Sequence, residues 1–243
     1  MQIRHDSVRS ESALTRLVLD QSAAQGDGLT GLGGSIMYRM RCQDEEVQHL
    51  QAPPGKATKY ARLERERRFL MAGIPEGPCI RRAEIADLYF TDTRLRLRRT
   101  VEVMSAGSSM FYKLTQKIPA PSIGPGLITT FYLEEAEYQA LRSLPSVGIT
   151  KTRYSIPPLS IDVFSGKLTG LVMAEAEFES AEQEAQFQIP VDSPAEVTTD
   201  IRFSGGRLAH MVRLELLALL TVFGLEPLDS SELASRSLSA TTG

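Results

Sequence analysis

Tyr60-Ala-Arg-Leu-Glu-Arg-Glu-Arg-Arg-Phe-Leu70 is the stretch on which the fold turns. With a period of two, as a strand, it puts Glu64, Glu66 and Arg68 on one face and Leu63, Arg65, Arg67 and Phe69 on the other. With a period of 3.6 it is a solvated helix of mixed charge, since Glu and Arg are good helix formers. The segment alone does not choose between the two. Its surroundings do.

Downstream, the period of two returns again and again. In Arg94-Leu-Arg-Leu-Arg98 the arginines alternate with leucines, so Arg94, Arg96 and Arg98 share a face. Lys113, Thr115 and Lys117 share one face of 111–118, with Tyr112, Leu114 and Ile118 on the other. Lys151 and Arg153 alternate with Thr152 and Tyr154, and Asp162 stands between Ile161 and Val163. Glu175, Glu177 and Glu179 alternate with Ala174, Ala176 and Phe178. Pro and Gly punctuate these runs at 73–78, 119–126, 145–148 and 157–158. The pattern is one of strands with an apolar face and a charged face, and Tyr60–Leu70 reads as the first of them. Helical spacing marks Leu133–Leu144 and Leu208–Phe223, and residues 11–20 read as a short helix in the leader, so the expected class is α+β.

One charged strand face is ordinary solvated surface. Three arginines in phase, two lysines in phase and three glutamates in phase are not, because like charges on one strand repel and need a counter-charge. An antiparallel sheet rolled into a barrel supplies it across the lumen. Basic side chains there hold phosphate oxygens, with Arg able to bind bidentately. Carboxylates spaced i, i+2 hold a hard cation such as Mg²⁺.

Glu64-Arg-Glu-Arg-Arg68-Phe-Leu resembles the ExExK signature that opens the CYTH domain, the fold of triphosphate tunnel metalloenzymes. The resemblance continues in order through Leu95–Arg98, Lys113–Lys117, Lys151–Arg153, Ile161–Val163, Ala174–Phe178 and Asp200–Ser204 with the following helix, about residues 58–225. It implies an eight-stranded antiparallel β tunnel with flanking helices. It further implies Glu64, Glu66 and Arg68 as catalytic residues. Glu64, Glu66, Glu175, Glu177 and Asp162 would be metal ligands for Mg²⁺ or Mn²⁺, Asp162 serving either the metal or an Arg. Arg96, Arg98, Lys113, Lys117, Lys151 and Arg153 would hold the triphosphate, with Arg94 a secondary candidate. The implied activity is hydrolysis of inorganic triphosphate or a similar organic triphosphate. The alternatives are an adenylyl cyclase and a polyphosphate- or nucleotide-binding module without turnover. Two departures stand out. Arg68 replaces the motif lysine, and Ile128–Leu133 replaces the family's Arg-x-Glu-x-Glu strand, leaving Glu135 and Glu137 in the first turn of a helix.

Composition bounds the rest. The chain has 243 residues and a formal charge of −3, which suits one globular domain and no nucleic-acid coat. No aromatic stripe is interleaved with the basic strands, which argues against RNA. Cys42 and Cys79 form no disulfide framework, and His5, His49 and His210 form no ligand set. The opening residues lack the apolar core of a signal peptide, and the longest apolar run, Leu214–Leu225, contains Glu215 and is too short for a bilayer, so a cytoplasmic protein without membrane partners is expected. Residues 1–56 read as a flexible leader, 57–227 as the tunnel domain and 228–243 as a disordered Ser-rich tail. Gly26, Gly28 and Gly31 match GxGxxG but lack the preceding strand a dinucleotide loop requires.

Overall fold

A computed structural model describes residues 60–104, 107–118 and 125–227. The leader 1–56, its glycine pattern and the tail 228–243 lie outside the described residues. Tyr60–Leu70 is resolved in favour of the strand. Strand β1 (Arg62–Leu70) is followed by β2 (Arg81–Phe90), β3 (Leu95–Met104), β4 (Gly107–Ile118), β5 (Gly126–Leu133), β6 (Ser146–Ile156), β7 (Leu159–Phe164) and β8 (Val172–Phe178). Every neighbouring pair is antiparallel, in the order β5-β4-β3-β2-β6-β7-β8-β1. β1 then pairs back onto β5, with Arg62 opposite Ile128 and Glu64 opposite Gly126, and the barrel closes. At the other end of β1 a short strand, β9 (Ala195–Glu196), takes the edge that β5 has left.

The expected amphipathicity sorts the faces. Outward, Phe69, Tyr154, Ile161, Val172, Ala174 and Ala176 bury one another with Met71 and Ile156. The two outward arginines that spoil the pattern of β1 have partners. Arg67 donates from Nε and Nη2 to Glu196 at 3.0 and 2.6 Å and lies over the Phe69 and Phe187 rings. Arg65 pairs with Glu184, in helix α2 (Ala181–Gln186), at 3.6 Å. Helix α1 (Glu135–Leu141) covers another part of the wall by stacking Tyr138 on Tyr112, centroids 4.4 Å apart.

One barrel end is plugged. The inward face turns apolar there at Leu70, Ile149, Phe164 and Met173, and these pack with Leu208, Ala209, Met211, Leu216, Leu219 and Leu220. The last six were expected on one helix, but the structure divides it into α3 (Gly205–His210) and α4 (Arg213–Val222). Met211 is extended, with ψ 134, the Ser204 hydroxyl accepts from Arg207 N at the start of α3, and Glu215 accepts from Val212 N at 3.0 Å to start α4. The break turns both apolar faces onto the same cluster, which one straight helix would not do. Arg94 is corrected too: it lies in the exposed turn before β3, not on the strand. No described helix is long and apolar enough to cross a membrane.

Candidate functional site

Residues opposite each other in a ladder share a face, so the register shows what points inward. Glu66 is opposite Glu177 and Arg68 opposite Glu175. Arg98 is opposite Asp87 on one side and Lys113 on the other. Arg153 is opposite Asp162. The inward faces enclose a cavity of about 650 Å³, within the range of about 300–1,000 Å³ usual for small-molecule sites. Its acidic wall is Glu64 and Glu66 from β1 with Glu175 and Glu177 from β8. Its basic wall is Arg96 and Arg98 from β3, Lys113 and Lys117 from β4, and Arg153 from β6.

The two walls are already paired. Lys117 Nζ lies 2.8 Å from a Glu64 oxygen and 3.5 Å from a Glu66 oxygen. Burial pushes the Glu66 carboxyl up; Lys117 opposes this, while the like charges of Glu175 and Glu64 add to it. Burial would raise Glu175 as well, but Arg153, Lys151, Lys117 and Arg98 outweigh it and hold its carboxyl far below the ordinary range. Arg153 donates to Glu175 and, at 2.6 Å each from Nε and Nη2, to the two oxygens of Asp162.

Asp162, Lys151 and Arg68 do not line the cavity. Asp162 is 1% exposed and both its oxygens are engaged, by Arg153 and by Lys151, so the structure places it as a cation's partner. Lys151 is buried, Nζ 5.3 Å from the Phe164 ring centre, where burial lowers its pKa against the pull of Asp162. Arg68 reaches into the plug. Its Nη1 donates to Phe203 O at 2.8 Å and its Nη2 to Thr198 O at 2.6 Å, while its Nε stays 3.8 Å from Glu66.

One buried acid escaped the sequence reading. Asp87 accepts from Arg98 Nε at 2.6 Å and Nη2 at 2.7 Å, with Arg96 Nε at 3.7 Å. Burial raises its pKa, but Arg98 and Arg96 prevail and bring it to about 2. The available signal was its phase: Ala83, Ile85, Asp87 and Tyr89 share a face, and an acid aligned with apolar residues is not solvated surface. Tyr89, above it, is pushed up to about 12 by burial and by Asp87, and its hydroxyl abuts Gly205.

Among the described residues, no three His, Cys, Asp or Glu side chains are gathered into a ready metal cage. The donor chemistry nevertheless suits a hard cation. Glu64 and Glu66 stand two apart on β1, Glu177 is opposite Glu66, all donors are oxygens, and an ammonium already sits against the pair. On β5 the inward positions hold Ile128, Thr130 and Tyr132. Glu135 and Glu137 are exposed in the first turn of α1, where Glu137 accepts from Glu134 N at 2.8 Å.

No family model and no curated protein matches the chain. Among solved structures it is similar to the inorganic triphosphatase NE1496, with 25% identity and a TM-score of 0.42 over 61% of this chain and 95% of that one. It is similar to the PH1819 protein of Pyrococcus horikoshii OT3 at 15% identity and a TM-score of 0.37, over 72% and 99% of the two chains. A conserved hypothetical protein from Pyrococcus furiosus is similar at 18% identity and a TM-score of 0.33, over 70% and 99%.

Proposed function

We propose that this CYTH-type tunnel is a divalent-metal-dependent hydrolase of a triphosphate, either inorganic triphosphate or an organic relative. One observation carries the reading: Arg96, Arg98, Lys117 and Arg153 converge with two glutamate pairs in a single cavity. Phosphate oxygens match the cations, and carboxylates spaced on facing strands match a metal. When bound by Glu64, Glu66, Glu175 and Glu177, Mg²⁺ or Mn²⁺ would supply charge to the phosphoryl oxygens and the leaving group. The chain's own part is positioning. Asp87 fixes the Arg98 fork and Asp162 fixes that of Arg153, so the guanidiniums meet the substrate pre-aimed. Lys117 changes partner, from the Glu64–Glu66 pair to a phosphate.

The test is phosphate release from inorganic triphosphate, ATP and thiamine triphosphate with Mg²⁺ or Mn²⁺, by the wild type and by Glu64→Ala/Glu66→Ala. Release by the wild type and a loss of about 100-fold or more in the variant are expected, since a metal contributes several kcal/mol. No release from any substrate with either metal sinks the proposal. A second reading, tight binding without turnover, is favoured by Thr130 and Tyr132 on β5 and by Arg68 bonded to the plug. Metal-dependent triphosphate binding with no product would establish it, and cyclic AMP made from ATP would identify a cyclase.

A further inference from the structure

We infer that the tunnel mouth holds a flat ring, so that the substrate is an aromatic organic triphosphate in preference to inorganic triphosphate. The inference rests on the triphosphate reading of the cavity and names the class within it.

The inward face of β4 and β5 changes along its length. Lys117, next to the glutamate pair, gives way to Thr115 and Thr130, whose hydroxyls are 3.4 Å apart. Beyond them Lys113 stands between two aromatic rings, its Nζ 5.0 Å from the centre of Phe111 and 4.9 Å from that of Tyr132. The two rings are themselves 6.3 Å apart and inclined at 47°. Tyr132 lines the cavity yet is 72% exposed, and Tyr60, also at the cavity wall, is 76% exposed. Core packing does not require rings so open to solvent.

Their place relative to the cations matters more. Tyr132 is opposite Lys113, and Lys113 is opposite Arg98. Two strand spacings, about 10 Å, therefore separate the ring from the arginine row. A bare polyanion uses cations at every point of its length and leaves a tyrosine idle. A triphosphate ester gripped at Arg98 and Arg96 has an uncharged end to dispose of, and the wall offers it an aromatic platform with an ammonium alongside. Stacking of a flat heteroaromatic ring on a tyrosine tolerates many ring types, and the Lys113 ammonium suits either a ring acceptor or the phosphate nearest the ester. The cavity of about 650 Å³ is of a size for such a ligand.

The experiment compares calorimetric affinities of the full chain, with Mg²⁺, for ATP, thiamine triphosphate and inorganic triphosphate. The wild type should bind at least one of the two ring-bearing compounds more tightly than inorganic triphosphate. In Tyr132→Ala that preference should fall about 5- to 150-fold, the loss expected for one base stacked on one aromatic side chain. Tyr132→Phe should retain it. Phe131→Ala, on the outward face of β5, should also retain it. A wild type that prefers inorganic triphosphate, or a Tyr132→Ala variant with an unchanged preference, overturns the inference while the triphosphate reading stands. Failure of the wild type to bind any of the three overturns both.

Discussion

Replacing Asp87 by Asn tests the buried charge that holds the arginine row. The side chain keeps its shape and loses its charge, while the Nε atoms of Arg98 and Arg96 remain 2.6 and 3.7 Å from the Oδ1 position. The magnitude follows from the titration. The carboxyl goes from an ordinary 3.8 to about 2 on folding. At about 1.4 kcal/mol per pH unit, that is about 2 kcal/mol of native-state preference for the charged form. Breaking a buried ion pair from one side costs about 3–5 kcal/mol, so the loss at pH 7 should lie between about 2 and 4 kcal/mol. For a domain of this size it lowers the Tm by roughly 5–15 °C. The sign is fixed by a carboxylate whose folded pKa is depressed. Its contribution is complete above the unfolded value of 3.8 and is lost as pH falls through about 2. Urea unfolding of wild type and Asp87→Asn at pH 7, 5, 3 and 2 should therefore give a gap that is constant down to about pH 4 and then narrows. A gap below about 1 kcal/mol at pH 7, or one that persists undiminished at pH 2, would refute the reasoning.

Asp162→Asn should cost a similar or larger amount, about 3–5 kcal/mol by urea unfolding, because it strands Lys151 and half of the Arg153 fork. Converting Lys151 to Met in the same chain should recover part of that loss, as a double-mutant cycle will read. Arg68→Lys should lower thermal stability by about 1–3 kcal/mol, having lost a two-pronged grip on the Thr198 and Phe203 carbonyls. Triphosphate affinity should change little in that variant; unchanged stability with collapsed affinity would place Arg68 in the chemistry instead. Gly205→Ala should destabilise by about 1–3 kcal/mol, since the new methyl would overlap the Tyr89 hydroxyl and lie 2.7 Å from its Cζ. Trimming Tyr89 to Leu in that background should restore most of the loss.

The sequence announced the tunnel through phase. Arg96 with Arg98 and Glu175 with Glu177 are two apart and Lys113 with Lys117 four apart, so each set keeps the period of two, and a charged face of that regularity survives only where another charged face meets it. Arg68 shares that phase and still ended elsewhere, because a long side chain can leave its row, and carbonyls far along the sequence at 198 and 203 capture it. Asp87 was hidden by its neighbours: one acid on a face of Ala83, Ile85 and Tyr89 has no repeat to announce it. The rings at the mouth were hidden for the opposite reason. Phe131 faces outward beside inward Tyr132, so β5 reads as apolar on both sides and shows no phase at all. The break at Met211 follows from closing the barrel end, a demand that local helical spacing does not contain.

The joins around the barrel are unequal. β2 meets β6 over ten residue pairs, whereas β1 meets β5 over three, and Glu64 is one of the three on the β1 side. Lys117 belongs to β4, so its bond to Glu64 passes over β5 and fastens the weakest join like a clasp. An anion that draws Lys117 away unfastens it, and a cation that brings the glutamates to the same anion fastens it again. Backbone amides at 62–64 and 126–128 should accordingly exchange with deuterium faster when triphosphate is added with a chelator, and slower when triphosphate and Mg²⁺ arrive together. The barrel would then breathe beside Glu64 and Glu66, and a cation held there would act as the latch.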